Sequence, residues 1–117
     1  MAEIGIGLYG SNGHQLGQDL SNIHGARLAA CCLVKNPPEG VRLYQALPEL
    51  LADPRVDLVS ICSPIRANQA EDIRLALRSG KHVYAEKPCV LTLPDLDSVI
   101  QLANEMGCEF FEMAGTA

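Results

Sequence analysis

Residues 3–17, Glu3-Ile4-Gly5-Ile6-Gly7-Leu8-Tyr9-Gly10-Ser11-Asn12-Gly13-His14-Gln15-Leu16-Gly17, hold the most telling pattern in this chain. Glu3 to Tyr9 reads as a strand stopped by Gly10, and Gly13 to Ile23 as a helix that ends before Gly25. A strand that feeds a helix through a glycine-rich turn sets backbone amides and a helix N-terminus against a diphosphate. The formal G-x-G-x-x-G triplet is Gly5, Gly7 and Gly10, but its first two members lie inside the strand, and the motif should follow the strand. Taking Gly10 as the first turn glycine puts Asn12 second and Gln15 third. Asn tolerates positive φ. Gln15 departs from the glycine that lets helix and strand pack closely. Gly10, Ser11, Asn12, Gly13, His14 and Gln15 are therefore the candidate diphosphate turn, with a structural turn lacking a ligand as the alternative. His14 is either a phosphate neighbour or a solvated residue at the helix start.

Outward from that turn, short apolar runs alternate with amphipathic helical patterns. Arg27 to Val34 is apolar nearly throughout, as a strand buried on both faces should be. A loop follows at Asn36-Pro37-Pro38-Glu39-Gly40. Leu47 to Ala52 reads as a short helix and Asp57 to Cys62 as the third strand. Asn68 to Ser79 is a helix with Ala70, Ile73 and Leu77 on one face and Gly80 as its cap. Lys81 to Ala85 is the fourth strand. Thr92-Leu93-Pro94-Asp95 fits a capping box, and Leu96, Val99, Ile100 and Ala103 form the apolar stripe of the helix that follows. Gly107 ends it, and Cys108 to Met113 is the fifth strand. Repeated strand-helix alternation implies crossover connections, hence a doubly wound parallel α/β sheet, Rossmann-like, with about five strands in a single domain over residues 1–117.

The composition agrees. Hydrophobic residues are 48% and charged ones 20% of the 117 residues, enough apolar surface to offset the ordering entropy. The net charge of −5 gives no basic field for nucleic acid. No apolar run approaches the roughly 20 residues that span a bilayer, and no signal peptide precedes the first strand, so the expectation is a cytoplasmic protein without membrane partners. The five cysteines, Cys31, Cys32, Cys62, Cys89 and Cys108, include no C-x-x-C pair, which argues against zinc and for reduced, mostly buried thiols. Cys89 alone is kept open as exposed.

The acid that should bind the adenosine ribose about 20 residues past the turn is missing. Leu33-Val34-Lys35-Asn36 stands there instead. Lys35 is either a partner for a 2′-phosphate, which leans towards NADP, or a surface lysine.

Further on, Ser-Gly-Lys-His-Val-Tyr-Ala-Glu-Lys-Pro at residues 79–88 resembles the G-K-H-V-x-x-E-K-P stretch of the Gfo/Idh/MocA oxidoreductases, the relatives of glucose–fructose oxidoreductase and inositol dehydrogenase. Val56-Asp57-Leu58-Val59-Ser60-Ile61-Cys62-Ser63-Pro64 resembles their V-D-x-V-x-I-x-T/S-P strand and turn. The resemblance implies NAD or NADP as cofactor and hydride transfer at a hydroxyl-bearing carbon of a sugar- or cyclitol-like substrate. By the same resemblance Lys87 is the catalytic residue that polarises or orients a substrate oxygen. Glu86 binds the nicotinamide ribose, Pro88 stiffens the turn, and Cys62, Ser63, Pro64 and Asn68 line the cofactor. Asn68 stands where the family usually has a histidine, and it can hydrogen-bond but not shuttle a proton near neutral pH. An ordinary ion pair at a strand end remains the alternative for Glu86 and Lys87.

The family's second α/β domain supplies most of the substrate site and has no counterpart before Ala117, so the expectation is a cofactor domain with little or no catalysis of its own. The sheet face exposed without that domain would favour self-association. Two other readings stay open. One is a degenerate module that binds partners and not dinucleotides. The other rests on the Gly10-to-Gly13 spacing, which resembles the turn of extended short-chain reductases and dihydrodipicolinate reductases, with one residue too many before Gly17.

Overall fold

The computed structural model describes residues 3–12, 15 and 25–112. The expected helix over Gly13 to Ile23, with His14 in it, and the end of the fifth expected strand at Met113 fall outside them. The described elements are β1 (Ile4–Tyr9), β2 (Ala26–Cys32), β3 (Arg42–Tyr44), α1 (Leu47–Leu51), β4 (Leu58–Ile61), a 3-10 turn (Arg66–Asn68), α2 (Gln69–Arg78), β5 (His82–Ala85), α3 (Leu93–Met106) and β6 (Phe110–Glu112).

All pairings are parallel, and the sheet order is β3-β2-β1-β4-β5-β6. Strand order reverses between β1 and β4, which makes their carboxyl ends the switch point where such sheets bind ligands. The sheet has six strands, not about five. The addition is β3, three residues that pair with Ala30, Cys31 and Cys32. Arg42-Leu43-Tyr44 is too short to show an alternation, and Leu43 is 58% exposed at the sheet edge. The second expected strand also ends earlier, because Leu33 takes φ 56° and leaves the ladder.

Leu47, Leu50 and Leu51 of α1, Ile73, Ala76 and Leu77 of α2, and Val99 and Ala103 of α3 pack with Ala30, Cys32, Val59, Ile61, Val83 and Ala85 on one face. Ile6, Leu8 and Cys31 occupy the other. The adjacent Cys31 and Cys32 therefore fall on opposite faces, as the two-residue period of a strand requires. Ile100 turns away from the core and is 45% exposed, so the stripe of α3 runs through Leu96, Val99 and Ala103. Thr92 caps α3 by accepting from the Asp95 amide at 3.2 Å. The Asp95 carboxylate takes Arg74 of α2 at 3.1 Å, tying the two helices together.

The amino end of the sheet is tightly bonded. Asp53 is 4% exposed and accepts from Tyr44 Oη at 2.9 Å, Arg55 Nη2 at 2.7 Å and the Arg55 amide at 2.8 Å. The hydrogen bond from Arg55 outweighs burial and holds the Asp53 carboxyl well below the usual carboxylate range. Lys81, the lysine of the G-K-H-V stretch, donates to the carbonyls of Asp53 at 3.1 Å and Val56 at 2.6 Å. It braces the carbonyls of the turn that leads from α1 into β4, that of Asp53 accepting from the Val56 amide as well. Asp57 accepts from the Gly5 amide at 2.8 Å, and a Cβ at Gly5 would collide with the Arg55 carbonyl.

Candidate functional site

The carboxyl ends of β1, β2, β4 and β5 bring the glycine turn, Lys35, the Ser-Pro turn and the Glu-Lys-Pro turn together. Gly10 takes φ 75°, a conformation that favours glycine, and a Cβ there would strike the Cys62 carbonyl. Among the described non-glycine residues positive φ occurs at Leu33 and Asn36 and not at Asn12, so Gly10 alone supplies the left-handed step of the described turn. Two amides of this turn are committed to strand ends: Gly10 N–H to the Cys32 carbonyl at 2.9 Å, and Asn12 N–H to the Cys62 carbonyl at 3.3 Å. Ser11 accepts from the Lys35 amide at 2.9 Å, which links the turn to the end of β2.

Gln15 explains how the turn does without a third glycine. Its amide nitrogen lies 3.2 Å from the Tyr9 carbonyl, 3.0 Å from that of Gly10 and 3.1 Å from that of Ser60. Its oxygen accepts from Ser60 Oγ at 2.6 Å. The side chain reaches the carboxyl ends of β1 and β4. It serves the turn's packing more directly than its ligand face.

An open cleft of about 340 Å³ is lined by Ser11, Asn12, Leu33, Lys35 and Pro64. It lies between the glycine turn and the end of β2, the side on which the adenosine half of a dinucleotide binds in folds of this order. Cys62 and Ser63 lie below it, both 0% exposed. Burial first, and the nearby Glu86 carboxylate second, push the Cys62 thiol up to about 12. Ser63 Oγ donates to Asp72 at 2.7 Å, and burial raises the Asp72 carboxyl above its ordinary value. Of the Cys62-Ser63-Pro64 turn, Pro64 reaches the cleft and the other two support it from beneath. Asn68 is exposed at the end of the 3-10 turn.

At the end of β5, Glu86 is 4% exposed beside the Cys62 thiol, whose Sγ lies 3.9 Å from Oε2. Lys87 is exposed, and the Lys87–Pro88 peptide is cis. Cys89 is buried at 4% exposure, and its amide donates to Glu112 at 2.8 Å. It belongs to the core, not to an open site. All five cysteines are free thiols.

Two residues that sequence reasoning passed over organise this end. Gln69, at 1% exposure, accepts from the Ser63 amide at 3.1 Å. It also donates to the carbonyls of Glu86 at 2.8 Å and Cys89 at 3.1 Å. One buried amide thus fixes the Ser-Pro turn against the Glu-Lys-Pro turn. Arg66 spans the opening, donating to the Lys87 carbonyl at 3.0 Å and the Asn12 carbonyl at 3.2 Å. A single guanidinium therefore joins the glycine turn to the Glu-Lys-Pro turn. The one advance signal for Gln69 was an amide side chain at the start of a helix directly after a Ser-Pro turn.

The residues present fit a dinucleotide. A glycine turn stands after β1, a cleft opens at the end of β2, and three cations, Lys35, Arg66 and Lys87, stand after β2, β4 and β5. An anionic ligand is favoured there even though the chain carries −5.

Comparison with known proteins agrees with this geometry. Residues 4–113 match the family described as oxidoreductase family, NAD-binding Rossmann fold. Myo-inositol 2-dehydrogenase of Thermotoga maritima is 37% identical over 60 residues, covering 51% of this chain and 18% of that protein. D-galactose-1-dehydrogenase from Rhizobium etli superposes with a TM-score of 0.79 at 28% identity, over 94% of this chain and 37% of that one. Biliverdin reductase from Synechocystis, solved with biliverdin and NADP+, gives a TM-score of 0.78 at 26% identity, over 93% of this chain and 37% of that one. The chain spans well under half the length of these proteins. With the crevice and the match over nearly its whole length, the chain belongs to the Gfo/Idh/MocA oxidoreductases as their NAD-binding Rossmann domain.

Proposed function

We propose that this chain holds the nicotinamide cofactor of an enzyme that exchanges hydride with a hydroxyl-bearing carbon of a sugar or cyclitol. The observation that carries this reading is the Arg66 bridge, which ties the glycine turn to the Glu-Lys-Pro turn. The cofactor supplies the hydride chemistry when bound; the protein binds, orients and excludes water. Gly10, by lacking a Cβ, lets the turn close against the Cys62 carbonyl, and Ser11 and Asn12 border the diphosphate. Lys87 at the end of β5 orients the substrate oxygen and stabilises negative charge developing on it. Glu86, at the crevice floor, faces the nicotinamide ribose. The dehydrogenases it resembles support a sugar or cyclitol as substrate.

NADP is favoured over NAD. Lys35 lines the cleft where an acid would otherwise meet the ribose hydroxyls, and one structural neighbour was solved with NADP+. Ile65, Leu91 and Leu93 are 61%, 62% and 75% exposed beyond the ends of β4 and β5. Their exposure supports a second domain, or a second copy, covering this end and completing the substrate site. Five free thiols, four of them buried, suit a reducing cytosolic setting. No helix among the described residues is long and apolar enough to cross a membrane.

Calorimetric titration of NADPH and NADH into the chain tests the reading. Both should bind, NADPH more tightly, and Lys35→Ala should erase the difference. Absence of binding by either at millimolar concentration would overturn it.

A further inference from the structure

Arg66 holds a cation at the mouth of the crevice on weak acceptors. Its two terminal nitrogens donate to neutral carbonyls from segments far apart in sequence, those of Asn12 and Lys87. Its Nε is buried and finds no acceptor. Arg55 and Arg74 behave differently: Arg55 lies on Asp53, and Arg74 on both Glu71 and Asp95. A guanidinium gains about twice as much from an ionised oxygen as from a neutral one, and its planar fork matches two oxygens of one phosphate. Arg66 has the fork, a spare donor and a place beside Asn12.

Two amides of the described part of the glycine turn are already engaged. The Gly10 and Asn12 amides are already bonded to the carbonyls of Cys32 and Cys62. Neither is free for a diphosphate entering here, whose charge a cation beside Asn12 would compensate.

We propose that Arg66 is the diphosphate-binding residue of this crevice, its fork turning from the Asn12 and Lys87 carbonyls onto the phosphate oxygens. The assignment rests on the dinucleotide reading above. It places a principal cation for the cofactor on the loop after β4. Lys35 serves the adenosine side and Lys87 the nicotinamide side, so each of the three cations has a distinct part of one anionic ligand.

The test is titration of NADPH into the wild-type chain, Arg66→Ala and Arg66→Lys at several salt concentrations, with inorganic pyrophosphate as a competing probe. Arg66→Ala should weaken NADPH by about fivefold or more and weaken pyrophosphate competition in parallel, while adenosine, which has no phosphate, binds as before. Arg66→Lys keeps the charge without the fork and should fall between. An Arg66→Ala affinity less than about fivefold weaker than wild type, or tighter than wild type, would overturn the assignment and make Arg66 a strap across the crevice. If Arg66→Ala fails to fold, Arg66→Lys and the salt series decide: wild-type binding that ignores salt, or Arg66→Lys binding equal to wild type, overturns it. A wild-type chain that binds no dinucleotide overturns both proposals. Binding that is indifferent to Arg66 overturns this one alone.

Discussion

The two ends of the sheet treat charge in opposite ways. At the amino end, the carboxylates are held by the fold: Asp53 is enclosed by Arg55 and Tyr44, and Asp57 holds the Gly5 amide. At the carboxyl end, cations face neutral carbonyls or solvent, and the buried work is done by the uncharged amides Gln15 and Gln69. Closed electrostatics at one end contribute to stability. Open electrostatics at the other are available to a ligand, at some cost to the free protein.

Gln69 gives the largest expected effect. Gln69→Leu keeps the volume but strands the Ser63 amide and the carbonyls of Glu86 and Cys89 in a buried site. The expected loss is about 3–5 kcal/mol, at roughly 1–3 per buried unsatisfied group, and is measured by urea unfolding. A loss below about 1 kcal/mol would mean that the carboxyl end is not braced by this amide.

The amino end is probed by pH. Because the Asp53 carboxyl is held below its ordinary value in the folded chain, unfolding takes up a proton in acid. Its contribution is therefore complete above about pH 4 and is lost as pH falls towards the folded-state value. Asp53→Asn should lower the melting temperature at pH 7 and flatten its decline below pH 4. Parallel melting curves for the two proteins across that range would show the ion pair to be dispensable.

The smallest effect belongs to Lys87. It is exposed, so Lys87→Ala should change stability by less than about 0.5 kcal/mol, as surface substitutions do. A larger loss would return Lys87 to the class of structural ion pairs and blur the contrast between the two ends.

How much of this was legible in the chain follows from the range of each interaction. Strand-helix alternation is local, so the doubly wound order could be read from apolar spacing, apart from the three-residue β3. The Glu-Lys-Pro and Ser-Pro turns were legible as motifs. Arg66 and Gln69 were not, because their partners are main-chain atoms from distant turns, and a main-chain carbonyl carries no residue signature. Gln15 looked like a defect in a glycine motif until its three carbonyl neighbours were in view. Cys62 and Ser63 were placed at the right turn, but sequence alone does not separate a wall residue from one lying beneath the wall.

The Cys62 carbonyl oxygen receives the Asn12 amide and sits against Gly10, while the Cys62 amide donates back to Tyr9 at 2.8 Å. These bonds clamp the turns after β1 and β4 into one rigid lip. Admission of a guest between them cannot come from a backbone hinge at that seam. It falls to the rotation of long side chains, so entry should be quick and the apo and loaded main chains should superpose closely there.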